Sequence, residues 1–178
     1  VSIIALVITS PVMLVIAIAI KAYDGGPVFF VQDRCTINGK VFKIHKFRSM
    51  IENAEKDGEV IPATDDDARI TPVGKIIRKT RLDELTQFFD ILIGNMSVVG
   101  PRPERVEHVE KYVEEVPEFT YRMKVKGGLT GYAQIYGKYN TSAYDKLKLD
   151  LFYIENYSVW LDLKLMLLTL KILFTPDS

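Results

Sequence analysis

Residues 5–14, ALVITSPVML, lie inside an uncharged apolar run from Val1 to Ile20, and the reading of this stretch decides the fold. About 18 apolar residues at about 1.5 Å each reach roughly 27 Å, close to the hydrocarbon thickness of a bilayer. Thr9, Ser10 and Pro11 interrupt the middle. Proline removes a backbone donor and collides with the carbonyl four residues back, while Ser10 can cap a new helix that starts at Pro11. The expectation is two short helices with a Ser-Pro bend between them. The Thr9 and Ser10 hydroxyls would satisfy carbonyls orphaned by the proline, which matters where water is scarce. Such a bend lets the chain dip into a membrane and return to the same face; a kinked helix that crosses once is the alternative. A cleaved signal peptide is not expected, because no basic region opens the run and no small-residue cleavage site precedes Lys21. The run starts abruptly in apolar residues, which favours a longer natural N-terminus. Lys21, Arg34, Lys40, Lys43, Lys46 and Arg48 follow it and favour the cytoplasm for everything beyond.

The chain has 178 residues, a length that suits one domain. Lys+Arg and Asp+Glu both number 23, so the overall charge gives no footprint for a nucleic-acid partner. Hydrophobic residues make up 48%, and their excess sits at the two ends, in residues 1–20 and 159–174. The lone Cys35 excludes an internal disulfide and fits a small buried thiol in a reducing compartment.

Between the ends, VFFVQDRCTINGKVFKIHKF (residues 28–47) reads as a β-hairpin turning at Asn38-Gly39, a preferred type I′ pair. Residues 52–69 form a polar loop in which Asp65, Asp66 and Asp67 are either a metal cluster or, the favoured reading, a solvated run. Helical spacing runs from Ile76 to Met96, with Leu82, Leu85, Phe88, Phe89 and Leu92 on one face. A short apolar strand follows in GNMSVVGPRP, then an amphipathic helix over 104–116, a glycine-punctuated loop with a strand in VKGGLTGYAQIYG, and a helix over 142–156. The last stretch, near 159–174, is apolar but carries Asp162, Lys164 and Lys171; it reads as an interfacial helix with Trp160 at headgroup level, against the alternative of a core helix. The fold class is therefore α+β: a small mixed domain with a β-hairpin and several amphipathic helices. A membrane helix over residues 1–22, re-entrant or crossing once, anchors a membrane-associated domain over 23–178; the re-entrant form is what the family resemblance given below implies.

Asp83 and Glu84 are adjacent in KTRLDELTQFF. One reading is a capping box begun by Thr80, with Asp83 at the third helical position. The other is catalytic: neighbours on a helix point about 100° apart, so one carboxylate faces a substrate while the other holds a cation. Arg78 and Arg81 flank the pair, and Arg102 sits between Pro101 and Pro103, whose rings stiffen its backbone. Rigidly presented arginines suit phosphate oxygens, and Lys46 and Arg48 add cations at the end of the hairpin. His45 and His108 show no zinc spacing with Cys35, and no Walker, dinucleotide or nucleophile-elbow pattern occurs.

These segments together resemble the bacterial sugar transferases, the monotopic phosphoglycosyl transferases. The resemblance rests on the Ser10-Pro11 bend, GGPVFFVQDR, KFRSM, DDARIT, RKTRLDELTQ, GNMSVVGPRP, GLTGYAQ and DLFYIENYSVWLDL, in order along nearly the whole chain. It implies transfer of a sugar-1-phosphate from a nucleotide sugar, usually a UDP-sugar, to a polyprenol (undecaprenyl) phosphate at the cytoplasmic face of the bacterial inner membrane. Asp83 is implied as the nucleophile that forms a phospho-Asp intermediate, Glu84 as a Mg²⁺ ligand, and Arg78 and Arg102 as phosphate ligands. UMP is the expected leaving product. Lys46, Arg48 and Gln134 complete the expected substrate contacts. Tyr132, Gln134 and Tyr136 are candidates for sugar choice, with a structural role the alternative. A homodimer is a further expectation, with no interface marked. Two positions depart from the family pattern: Thr86 and Gly127 stand where proline is usual, which predicts a relaxed helix start after the acids and a more flexible loop. A glycosyltransferase that moves the sugar alone, or a non-catalytic scaffold of polysaccharide export, are the competing readings.

Overall fold

The computed structural model describes residues 2–54, 67–137 and 141–173, and these form two compact units. The first comprises residues 1–31 and 45–89, the second residues 32–44 and 90–178. The chain passes from one to the other within the strands of the hairpin.

The first unit is built on α1, Ser2–Asp24, a single 23-residue helix with Pro11 inside it. Two separate helices were expected; the hydroxyls explain why one suffices. Pro11 has no N–H for the carbonyl of Val7, and Ser10 Oγ donates to that oxygen at 2.8 Å. Thr9 Oγ1 donates to Ala5 O at 2.7 Å. Ser10 thus closes the gap backwards along the helix and does not cap a new one. The outer face of α1 is apolar and open, with Ile4, Val7, Ile8 and Val15 all more than three-fifths exposed. The helix is long and apolar enough to cross a membrane. Towards its C-terminal end, Ile16 and Ile20 are buried with Phe47 and Ile77, and Val28, Val73 and Leu82 pack around them. Phe47 comes from the end of β2 (Val41–Phe47), which pairs with β1 (Phe29–Cys35). Ile77 comes from α2, Pro72–Lys79, capped by Thr71 Oγ1, which accepts from Gly74 N–H at 2.9 Å.

The long helix expected over 76–96 does not form. Thr80 ends α2, its Oγ1 donating to Ile76 O at 2.8 Å, and Arg81 enters the left-handed region at φ 54°. A 3-10 turn over Leu82–Glu84 follows, then α3 over Gln87–Leu92. Thr80 is therefore a helix end and starts no capping box. Thr86 is buried, and its hydroxyl donates to the His45 carbonyl on β2 at 2.7 Å.

In the second unit the hairpin turn has Asn38 at φ 57° and Gly39 at φ 71°, with Lys40 N–H donating to Ile37 O at 3.1 Å, as the Asn-Gly pair predicts. Phe42 and Ile44 pack with Met96, Ile91 and Leu129. β3 (Ser97–Val99) and β4 (Gly128–Thr130) pair in parallel, Ser97 opposite Gly128 and Val99 opposite Thr130. α4 spans Val106–Glu115, a 3-10 segment spans Pro117–Lys124, and α5 spans Tyr132–Tyr136. α6 spans Ala143–Asn156 and starts at Ser142, whose Oγ accepts from Asp145 N–H at 3.1 Å. α7, Val159–Leu173, buries Leu165 against Val99 and Tyr153, while Trp160 and Leu167 on its other side are exposed. Gly127, expected to loosen its loop, is held: its N–H donates to Thr36 Oγ1 at 3.0 Å, and a Cβ there would lie 2.5 Å from Pro103 Cγ. Glu104 is buried beside Lys146, at 2.8 Å, and Arg122, at 4.0 Å. Burial alone would raise its pKa, but His108, Lys146 and Arg122 together outweigh that and hold it well below the ordinary value of 4.5.

Two predictions follow from these contacts. Thr86→Val keeps the shape of the side chain but removes the donor to His45; it should cost about 1 kcal/mol of stability, read by chemical or thermal unfolding. Because the folded pKa of Glu104 is depressed, its stabilisation is full above 4.5 and is lost as pH falls towards the folded value. Glu104→Gln should therefore flatten the acid side of the stability profile, and an unchanged acid slope would contradict this assignment.

Candidate functional site

The local chain explains how the two acids are presented. The left-handed Arg81 turns the backbone sharply after α2, and Arg81 N–H donates to Arg78 O at 3.1 Å to close that helix. The next three residues form the 3-10 turn, with Glu84 N–H donating to Arg81 O at 3.2 Å. Leu82, immediately before Asp83, packs on the cluster of Ile16 and Ile20 from α1. Thr86, two residues after Glu84, is tied to β2. The pair is thus fixed from both sides, by an apolar cluster to which α1, β2 and α2 contribute and by a hydrogen bond to the hairpin.

Asp83 and Glu84 are both half-buried. Lys46 Nζ lies 2.6 Å from Glu84 Oε1, with side-chain exposures of 17% and 11%, so this ion pair is largely withdrawn from water. A pair so placed resists screening better than a surface one. Lys46 and Glu84, 38 positions apart, are therefore brought together as the spacing of their motifs alone does not reveal. Arg78 is exposed on the last turn of α2.

Arg48 is placed differently from Lys46. It is 6% exposed, and its guanidinium donates to Asp24 at the end of α1. Its Nε and Nη1 are buried without a hydrogen-bond partner among the described residues. Gly26 lies against the same guanidinium, where a Cβ would come within 2.5 Å of Nη1. Arg48 thereby couples the hairpin to the exit of α1, and Asp24 is a residue that the motif reading missed. Its signal was its place just before Gly25-Gly26.

In the second unit Arg102 is half-buried between buried Pro101 and Pro103. Its own carbonyl accepts from Arg122 Nη2 at 2.9 Å. Gln134 lies on α5; its Nε2 donates to Leu129 O at 3.2 Å, and its buried Oε1 has no partner among the described residues. Tyr132 packs with tilted rings against Tyr136 and Phe152, ring centroids 4.4 and 4.7 Å away. Gln134 and its neighbours therefore have structural contacts, and Gln134 keeps one acceptor in reserve.

Among the described residues no group of three or more His, Cys, Asp or Glu could enclose a metal ion. Magnesium does not need one: it is commonly bound by one or two carboxylates and completed by water and substrate phosphate oxygens. The adjacent hard oxygen donors of Asp83 and Glu84 fit that ion. The other acidic candidate does not compete. Asp67 is bound to Arg69 Nη2 at 2.6 Å, which holds its pKa down at about 2, and Asp65 and Asp66 lie outside the described residues. Cys35 is buried, and burial pushes its thiol pKa up.

The sequence matches the family model of the bacterial sugar transferases over residues 1–176. It is 43% identical over 177 residues to an Aeromonas hydrophila protein named UDP-N-acetylgalactosamine-undecaprenyl-phosphate N-acetylgalactosaminephosphotransferase; the match covers 98% of this chain and 42% of that one. It is 49% identical over 174 residues to a Klebsiella pneumoniae UDP-glucose:undecaprenyl-phosphate glucose-1-phosphate transferase, covering 95% and 37% respectively. A Salmonella typhimurium undecaprenyl-phosphate galactose phosphotransferase is 35% identical over 191 residues, covering 99% and 39%. The chain thus spans about two-fifths of the length of these relatives. A match through nearly all of its length, including the Asp83-Glu84 turn and the Pro-Arg-Pro loop, places this chain in the bacterial sugar transferase family.

Proposed function

We propose that the chain transfers a sugar-1-phosphate from a UDP-sugar to undecaprenyl phosphate, with Asp83 as a covalent nucleophile. The observation that supports this reading is the packing of Leu82 on the apolar cluster that Ile16 and Ile20 of α1 share with Phe47 and Ile77. A lipid phosphate cannot leave its headgroup plane, so a transferase acting on it must hold its nucleophile there. Packing the residue before Asp83 on a cluster shared with α1 would do so. The names of the relatives support the same substrates: each acts on undecaprenyl phosphate, and two name a UDP-sugar as donor.

In the first step a carboxylate oxygen of Asp83 attacks the phosphorus bearing the sugar. The bond from that phosphorus to the bridging oxygen breaks, and UMP leaves with its electron pair. In the second step an oxygen of undecaprenyl phosphate attacks the acyl phosphate, forming the lipid diphosphate sugar and returning the Asp83 carboxylate. Glu84 would hold Mg²⁺, which offsets the charge of the diphosphate and of the leaving nucleotide. Lys46 orients Glu84 through their ion pair. Arg78 and Arg102 bind donor phosphate oxygens, Gln134 contacts the donor, and Arg48 sets the hairpin against α1. The protein lies at the cytoplasmic face of the inner membrane, with α1 re-entrant at Ser10-Pro11 and α7 in the interface, Lys164 and Lys171 reaching for headgroups. A homodimer belongs to the same proposal; size-exclusion chromatography coupled to light scattering would find only monomer if it is wrong.

Purified protein incubated with Mg²⁺, undecaprenyl phosphate and UDP-sugar labelled in the sugar and its phosphate should release UMP and give labelled protein on rapid denaturation. Asp83→Asn should lose both the label and at least about 10²-fold in turnover. Release of UDP would establish the sugar-only transfer instead, and full activity in Asp83→Asn would leave a scaffold role. For the membrane path, a thiol-reactive, membrane-impermeant reagent should label Ser2→Cys only from the cytoplasmic side; labelling from the opposite side would establish a helix that crosses.

A further inference from the structure

The second unit contains a buried ionic cluster that the proposed chemistry does not use. Arg122 lies in the 3-10 segment Pro117–Lys124 and is 4% exposed. Its Nε donates to Asp150 Oδ2 on α6 at 2.7 Å, and Asp150 is 1% exposed. Its Nη2 donates to the main-chain carbonyl of Arg102 at 2.9 Å, and Nη1 stands 4.0 Å from Glu104 Oε1. The guanidinium carbon lies 4.9 Å from the centre of the Phe119 ring. One planar cation thus faces α6 through Nε and the loop of Arg102 and Glu104 through its two terminal nitrogens.

Burying ions costs desolvation that an apolar core would avoid, and apolar side chains at 122 and 150 would fill the same space. What an apolar pair could not do is grip a carbonyl. Proline at 103 has no N–H, and proline at 101 has none either, so this loop is held through its carbonyls: Gly128 N–H donates to Pro101 O at 2.9 Å and Arg34 Nη1 to Pro103 O at 3.1 Å. Arg122 adds the restraint at the carbonyl between them, that of Arg102 itself. Asp150 keeps the fork in register by holding Nε. Lysine could match the charge but not the two-directional geometry, because its ammonium is a point on a flexible stem.

We propose that Arg122, held by Asp150, is a positioning residue for Arg102: it fixes the Pro-Arg-Pro backbone and thereby aims the Arg102 side chain at the donor diphosphate. The proposal rests on the reading that Arg102 binds the donor. The two therefore have to be tested in one double-mutant cycle, with KM for the UDP-sugar and kcat measured for the full chain carrying Arg102→Ala, Arg122→Lys and both. Arg122→Lys should raise KM and lower kcat/KM by roughly 10- to 100-fold, as a small misplacement of a ligand does. The double variant should be little worse than Arg102→Ala alone, since an absent side chain cannot be misaimed. If Arg102→Ala behaves as wild type, the donor-binding reading of Arg102 is overturned and the positioning role with it. If Arg102→Ala is impaired while Arg122→Lys keeps the wild-type KM and only loses active protein, or if the two defects multiply in the double variant, Arg122 is structural and the positioning role alone is overturned. Should Arg122→Lys fail to fold, Asp150→Asn, which keeps the shape and weakens the hold on Nε, takes its place under the same criteria.

Discussion

The apolar cluster of Ile16, Ile20, Phe47 and Ile77, with Leu82 packed against it, is the constraint on which the first unit depends. It joins the inner end of an apolar helix to the end of a β-strand, to a soluble amphipathic helix and to the turn that presents two carboxylates. Each partner arrives from a different part of the sequence. The outer part of α1 has no such cover: its exposed isoleucines and valines are suited to lipid tails, not to water. One helix therefore carries an open apolar face along its outer part and a buried one at Ile16 and Ile20; in the proposed arrangement the first meets lipid and the second protein.

Polar groups refine what that apolar contact begins. Thr86 draws the residues after the acids towards β2, Lys46 meets Glu84 across the same gap, and Arg48 reaches Asp24 from the end of β2. The strand thus carries a cation for the acid turn and a cation for the helix exit two positions apart. In an extended chain that spacing puts both on one face in isolation; the chain leaves the strand after Phe47, which frees Arg48 to turn towards α1. The relatives differ in the sugar they are named for, N-acetylgalactosamine, glucose or galactose. In the proposed mechanism the acid turn acts on phosphorus and not on the sugar, so sugar choice would come from other residues.

Much of this was legible in the sequence because it is local. The Asn38-Gly39 turn, the start of α6 at Ser142 and the apolar stripe of α4 are set by residues close in the chain, and motif order was enough to indicate the family. What was not legible depends on closure over distance. Helical spacing carried through Thr80 and Arg81 because their side chains do not oppose a helix; the left-handed Arg81 turns the chain so that Leu82 meets the cluster of Ile16, Ile20, Phe47 and Ile77, which no local pattern encodes. Pro11 argued for two helices, yet one hydroxyl placed on the Val7 carbonyl lets a single helix run on. Thr86 and Gly127 looked like losses of rigidity where proline is usual. The structure gives Thr86 a hydrogen bond that proline could not make, and it seats Pro103 in the space that a side chain at Gly127 would need. Arg122 and Asp150, 28 positions apart, carry no sequence signal at all.

The central claim is that the acid turn is held at headgroup depth by its seat on α1. It is tested most directly by measuring that depth. A nitroxide attached at Lys79→Cys, an exposed position just before the turn, should report through its accessibility to oxygen and to a water-soluble nickel chelate. The account places the label within the headgroup layer, roughly 5–8 Å thick on each side of the hydrocarbon. A label as open to the chelate as one in bulk water would contradict it.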